Sequence, residues 1–186
     1  ANAFDCCKSI SSITIPKSVT TIGDKAFYSC SNLMSITVLP EDVMIGEGVF
    51  NDTQWWKNQP DGFVYLGKIL LGYKGRSSDV QSAVDVKEGT TSIATYAFDY
   101  CCNMPAVNLP KSLKCIGESA FKGCKSLVSI TISNSVNSIG DNTFYKCSGL
   151  ESITTPDNVT SIGASAFEGC KILTSITIPD SVTSIG

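Results

Sequence analysis

The sequence predicts a repeat solenoid, a stack of short coils with one strand in each, on three observations. The first is a phenylalanine column: Phe4, Phe27, Phe50, Phe98, Phe121, Phe144 and Phe167 stand 23, 23, 48, 23, 23 and 23 residues apart. The long step is two periods plus two residues, so one unit is remodelled and lengthened. The second is a pair of following columns. Cys7, Cys30, Thr53, Cys101, Cys124, Cys147 and Cys170 come three residues after each Phe, and Ile10, Leu33, Trp56, Met104, Leu127, Leu150 and Leu173 three residues later. The third is an Ile-Gly pair that closes most units: Ile22-Gly23, Ile45-Gly46, Ile116-Gly117, Ile139-Gly140, Ile162-Gly163 and Ile185-Gly186. A unit this short buries its apolar face only against its neighbours, so repetition at a fixed period dictates a stack.

Each element of the coil follows from local pattern. Residues 11–16, Ser-Ser-Ile-Thr-Ile-Pro, alternate polar and apolar, the period of a half-buried strand. Ile13 and Ile15 are expected inward, as are Ile36/Val38, Val107/Leu109, Ile130/Ile132 and Ile176/Ile178, with the intervening Ser and Thr outward. Pro16 ends the strand because it cannot donate to a ladder. Leu39 takes that place in the second coil. Gly23 marks a position where a side chain would clash or φ is positive. The apolar spacing of Phe27, Cys30 and Leu33 predicts a short helix or 3-10 turn. Ala106 and Asn108 replace Ser and Thr on the outward side of one strand, and Thr155 replaces an inward Ile or Val.

After Phe50 the pattern breaks. Residues 51–59 carry Trp55 and Trp56, the only tryptophans, and Pro60-Asp61-Gly62 is a turn signal. Residues 63–66 and 69–73, around Gly67-Lys68, read as a β-hairpin. Residues 74–79 form a polar loop. The frame returns with Val84, Val86 and Ile93, Ala94 standing in for the glycine. The expected organisation is therefore one solenoid over 1–186: regular repeats 1–50, an irregular lengthened module 51–80, and regular repeats 81–186.

Composition bounds the function. With a net charge of −3 and 17% charged residues, there is no basic footprint for nucleic acid or anionic lipid. The longest apolar run, 63–73, is interrupted by Gly67, Lys68 and Gly72 and is too short to span a bilayer. No signal peptide is visible at Ala1. The chain begins and ends inside repeat units, so it is expected to be a fragment of a longer protein. Histidine is absent, which removes the commonest general base and the Ser-His and Cys-His nucleophile pairs. Carboxylates such as Asp141, Asp157 and Asp180 read as solvated turn residues. No catalytic or cofactor-binding residues are expected, and the chain is not expected to be an enzyme. Asn51 and Asn158 head glycosylation sequons, relevant only in a eukaryotic source.

The nine cysteines are an odd number, so complete internal pairing is impossible. Neighbouring coils stack about 4.8 Å apart, and side chains held parallel at that spacing sit wider than a disulfide prefers. A ladder of reduced thiols packed in the core is the expected state, a disulfide ladder the alternative. Zinc is disfavoured, since a linear ladder without CxxC pairs or histidine offers no tetrahedral site. The state of Cys6, Cys102 and Cys115, outside the column, stays open.

With these residues in place, the unit running through Leu173, Ile176 and Ile178, then Pro179, Val182 and Ile185-Gly186, resembles the BspA-like leucine-rich repeats, the Treponema-type class of that superfamily. The segment from residue 55 through residue 75 is similar to an irregular module often found in bacterial members. The asparagine of ordinary leucine-rich repeats is replaced at its offset by Ser181, so a buried asparagine ladder is not expected. The resemblance implies a right-handed leucine-rich-repeat superhelix of parallel strands, and cell-surface or secreted proteins that adhere to host or extracellular proteins.

Function is then expected on the surface. The stack lines up Thr14, Thr37, Asn108, Thr131, Thr154 and Thr177, beside Ser12, Ser35, Ser129, Ser152 and Ser175. Such residues solvate a β-face while keeping β-propensity; the same weakly charged face could contact protein or glycan. In the module, Trp55, Tyr65 and Tyr73 are candidate anchors, since aromatics dominate binding hot spots. Trp56, standing in the Leu column, is expected in the core, and Trp55 outside it. An adhesion-type, monomeric binding module is the leading reading. A passive spacer is the alternative, and a glycan-binding component a third, marked by exposed aromatics flanked by carboxylates near the module. Ice binding ranks last, because a concave face fits a flat ice plane poorly.

Overall fold

The computed structural model describes every residue except Leu39 and Glu41, so the Leu39 replacement noted above lies outside the described residues. The chain is a parallel β-solenoid whose coils follow the 23-residue period. One row of strands is built from the alternating segments. Ser12–Ile15 pairs in parallel with Ser35–Val38, Val84–Asp85 with Val107–Asn108, and Ser129–Thr131 with Ser152–Thr154. A bridge from Ala106 to Ser129 joins the last two pairs. Because side chains alternate along a strand, Ile15, Ile130, Ile132 and Ile153 are buried while the Ser and Thr between them are exposed. At the proline that follows, the carbonyl accepts an i+3 amide: Val19 on Pro16, Leu113 on Pro110, Val159 on Pro156 and Val182 on Pro179.

A second row is made by the closing segments. Thr21–Ile22 pairs with Met44–Ile45, Ser92–Ile93 with Cys115–Ile116, and Ser138–Ile139 with Ser161–Ile162, which pairs in turn with Ser184–Ile185. The glycine after the inward Ile answers to contact rather than to φ. A Cβ on Gly163 would lie 2.6 Å from the Asp141 nitrogen, backbone of the preceding coil. Hydroxyls tie the closing turns together. Ser112 donates to Thr90 O, Ser181 to Val159 O, and Thr183 to Thr160 O, at 2.8, 2.6 and 3.2 Å. Ser181 thus does the cross-coil work expected of a polar ladder, without asparagine.

The third side of each coil corrects the helical expectation. Among the described residues the helices are one α-turn, Gln54–Lys57, and one 3-10 turn, Ser77–Asp79, both inside the module. Elsewhere the amides alternate in direction. Ser119, Phe121 and Gly123 donate to Asp141, Thr143 and Tyr145 of the next coil, while Ala120, Lys122 and Cys124 donate three residues back. A helix needs every amide bonded four residues back, and half of these are claimed by the neighbour. The geometry places two left-handed residues four apart in each turn, such as Lys25 and Ser29, or Asn142 and Lys146.

Between the three sides lies the core. Phe4, Phe27 and Phe50 stack at 5.0 and 5.9 Å between centroids, and Phe98, Phe121, Phe144 and Phe167 at 4.9, 5.4 and 5.5 Å. The module interrupts the stack and repairs it. Gly62–Leu66 and Ile69–Lys74 form the expected antiparallel hairpin. Phe63 brings its ring to 5.1 Å from Phe98 and 5.1 Å from Tyr73. Leu70 pairs with Ile93, one period on, so the two extra residues fall between Ile45 and Leu70. Leu66 and Ile69 pack into the core cluster of the first coils and Leu70 into that of the later ones.

The last inward pair departs from expectation. Residues 173–179 carry no assigned strand, Ile176 is half-buried, and Ile178 is 47% exposed. One coil earlier the Ile132 amide donates to Thr154 O; here the Thr155 hydroxyl takes Thr177 O at 2.7 Å. The polar replacement engages the next coil through its side chain.

The cysteine column is a thiol ladder. All nine cysteines are free; Cys30, Cys101, Cys124 and Cys147 are buried, Cys7 and Cys170 half-buried. Outside the column, Cys6 is exposed, and Cys102, whose Sγ lies 3.4 Å from Gly123 O, and Cys115 are half-buried.

Candidate functional site

The outward strand positions form a face in two parts. Thr14 and Thr37 are register partners, as are Asp85 with Asn108 and Thr131 with Thr154. All six side chains are exposed, as is Thr177 beyond them. Among the described residues, pairing in this row runs to Val38 and resumes at Val84, with the module between the two parts of the face. Asn108 donates its amide to Asp85 Oδ1 at 2.6 Å, which fixes the first polar rung after the break. Next to it lies a recess of about 640 Å³, lined by Asn108, Leu109, Lys111, Thr131, Ser133 and Asn134. The small Ala106 also lines it. The structure thus brings together two of the predicted residues, Asn108 and Thr131, and arrays Thr154 and Thr177 along the same row.

The aromatic candidates part company. Trp55 packs against the core of the first coils and meets the Phe50 ring edge-on at 5.8 Å, its amide donating to Leu33 O at 2.7 Å. Both tryptophans are half-buried, and the one packed against the core is Trp55, where Trp56 is expected. Thr53 caps the helical turn, donating to Phe50 O and accepting from the Trp56 amide. The turn that it starts carries Trp55 inward and Trp56 toward the surface. Tyr65 lies under Lys87, whose Nζ is 4.3 Å from the ring centroid and whose amide donates to the phenol oxygen. Burial raises that phenol's pKa.

Tyr73 belongs to a second recess, of about 510 Å³, where the hairpin crosses the turn side of the stack. Its walls include Glu47, Trp56, Tyr73, Tyr96, Asp99 and Lys122. Asp99 Oδ1 is fully buried and, among the described residues, has no hydrogen-bond partner. Burial pushes this carboxyl up to about 6; Lys122 opposes the shift and Glu47 adds to it. Lys122 Nζ stands 5.3 Å from the Tyr96 ring centroid, a cation–π distance. Sequence reasoning missed Tyr96 and Asp99. The available signal was Tyr96 itself, an aromatic at a left-handed turn position (φ 60°) that Lys25, Ser119, Asn142 and Ser165 fill elsewhere.

The repeat geometry has a counterpart in known proteins. A family model described as "BspA type Leucine rich repeat region" matches residues 1–59 and 77–186, in six copies. The chain belongs to the BspA-type leucine-rich repeat family. The gap in the match falls inside the lengthened module of this BspA-type chain and takes in Tyr73 of the second recess. Solved relatives share the fold. A leucine-rich repeat protein from Bacteroides ovatus ATCC 8483 is 31% identical with a TM-score of 0.55, over 100% of this chain and 47% of its own. The leucine-rich repeat protein of T. pallidum is 27% identical, TM-score 0.52, over 95% of this chain and 73% of its own. The pneumococcal vaccine antigen PcpA, at 19% identity and TM-score 0.53 over 95% of this chain and 56% of its own, agrees in fold alone. The chain thus spans about half the length of the Bacteroides protein. No curated protein resembles it closely enough to count as a relative. Among the described residues, no helix is long and apolar enough to cross a membrane.

Proposed function

We propose that this BspA-type chain is a non-catalytic interaction module of a cell-surface or secreted protein. It works as a single monomeric solenoid that adheres to host or extracellular proteins through its strand face. The observation that carries the reading is the row of register-paired, exposed Thr and Asn side chains beside the recess at Asn108 and Thr131. A ladder already fixed by backbone hydrogen bonds loses little freedom on binding, so contacts made along it retain more of their free energy. Short hydroxyls leave the backbone of the row approachable, and a stacked surface lets one partner span several coils. Family membership supports protein interaction as the general role.

Binding of the folded chain to immobilised extracellular-matrix proteins tests this, with Thr131→Arg alongside. Saturable binding abolished by the variant supports the strand face. Silence across the panel would favour a passive spacer.

A further inference from the structure

The recess under the hairpin has a different chemistry from the strand face, independent of the reading above. We propose that it is a saccharide site, taking a neutral sugar residue of a glycan against Trp56, Tyr73 and Tyr96. Four observations converge. Three aromatic side chains from three segments line one depression, with a volume in the range of small-ligand sites. Asp99 lines the same wall, and one of its carboxylate oxygens is buried without a hydrogen-bond partner among the described residues. A buried acceptor without a partner is costly, so a side-chain shift that turned this carboxylate toward a ligand hydroxyl would be favoured. Glu47 supplies a second acceptor, while Asn51 and Lys122 supply donors. Lys122 is held in place over Tyr96.

The balance of these groups selects the ligand. An aromatic recess for a cationic side chain would present acceptors alone, yet Lys122 stands in the wall. An anion would meet Glu47 and Asp99. A sugar ring offers hydroxyls that both donate and accept, and C–H faces that lie on aromatic rings. It suits a site where acceptors, donors and rings are mixed. Trp56 is brought to this surface by the Thr53-capped turn, and Tyr73 by the hairpin. Tyr73 falls in the stretch the family model does not match, and Trp56 three residues before the first matched stretch ends.

The test titrates the chain with lactose, N-acetyllactosamine, cellobiose, maltose and mannobiose, read by tryptophan fluorescence and saturation-transfer NMR. Trp56 is one of only two tryptophans, so a ligand in the recess is read directly. We expect saturable binding of at least one saccharide in the millimolar range or tighter. Trp56→Ala and Asp99→Ala should each weaken it by at least about tenfold. Both variants are checked by thermal melts, so that a folding defect in one leaves the other to decide. Thr131→Arg, on the other recess, should leave saccharide binding unchanged, which separates failure here from failure of the strand-face reading. No binding by any saccharide, unchanged binding by folded variants, or preferential binding of a lysine-rich peptide would each overturn the proposal.

Discussion

The Cys147 thiol donates to the carbonyl oxygen of Phe121, one coil earlier, at 3.0 Å. Cys30, Cys124 and Cys170 make the same bond to Phe4, Phe98 and Phe144 at 3.0, 3.2 and 3.2 Å. Each thiol therefore fills a core position as a small apolar group while adding a second, cross-coil donor to a carbonyl that already accepts the amide of Cys7, Cys101, Cys124 or Cys147 three residues on in its own coil.

Thiol reactivity follows from this arrangement. The thiolate is the nucleophile, and burial pushes Cys101 up to about 12. Cys124 is raised as well, first by the hydrogen bond with the Cys147 thiol and then by burial. In a titration of native and then denatured protein, Cys101, Cys124 and Cys147 should label only after unfolding. The exposed Cys6 should label in the native state. Fast native labelling of the whole column would contradict a buried ladder; column thiols that stay silent after denaturation without reductant would reveal disulfides.

The phenylalanine stack gives a graded prediction. Phe121 is fully buried between Phe98 and Phe144, so Phe121→Ala should cost about 3–5 kcal/mol. Phe4 stacks on one side only and is 45% exposed, so Phe4→Ala should cost well under half as much, by the cavity left. Urea melts compare the two, and equal midpoints would show that stacking position does not set the cost.

One turn position combines a left-handed backbone with a close side-chain approach. Gly123 has φ +71°, and a Cβ there would lie 2.7 Å from Cδ1 of Tyr100. Gly123→Ala should therefore cost about 1–2 kcal/mol or more from the left-handed conformation and the displaced ring. Lys146 occupies the same turn position at φ 58°, and Lys146→Gly should be neutral or stabilising. Unfolding free energies of opposite order would contradict the turn geometry.

The period, the core columns and the strand face were legible because a stack writes each core position at a fixed spacing. Phe98, Phe121 and Phe144 had to be equivalent, and they are. The turns were not legible. Phe27, Cys30 and Leu33 have a spacing shared by a helix and by a chain of turns. The choice between them depends on amides claimed by the next coil, which no local pattern records. The packing of Trp55 rather than Trp56 against the core has a similar origin, since Thr53 starts a helical turn there. Tyr96 and Asp99 meet Tyr73 and Trp56 only because the hairpin folds back over the stack.

Asp99 gives stability a pH dependence of unusual sign. Its folded carboxyl titrates near 6 against an ordinary 3.8, with Lys122 and Glu47 as the charges acting on it. Between those values the folded chain holds a proton that the unfolded chain has released, so this group's contribution falls as pH rises and is lost above about 6. Asp99→Asn should remove that slope and be the more stable protein at neutral pH. Urea midpoints at pH values from about 4 to about 7 check it. A wild type and variant that stay parallel across the window would rule out a buried, proton-holding carboxyl.

Recognition through the strand face is tested most directly by the rate and extent of binding to one matrix protein across three chains. These are the parent, Thr131→Arg, and Asn137→Arg, whose exposed side chain lies outside the strand row. Saturable binding by the parent and by Asn137→Arg, with at least about a tenfold loss for Thr131→Arg, is the expected result. Equal binding by all three folded chains would place recognition elsewhere on the molecule and contradict the assignment of the face.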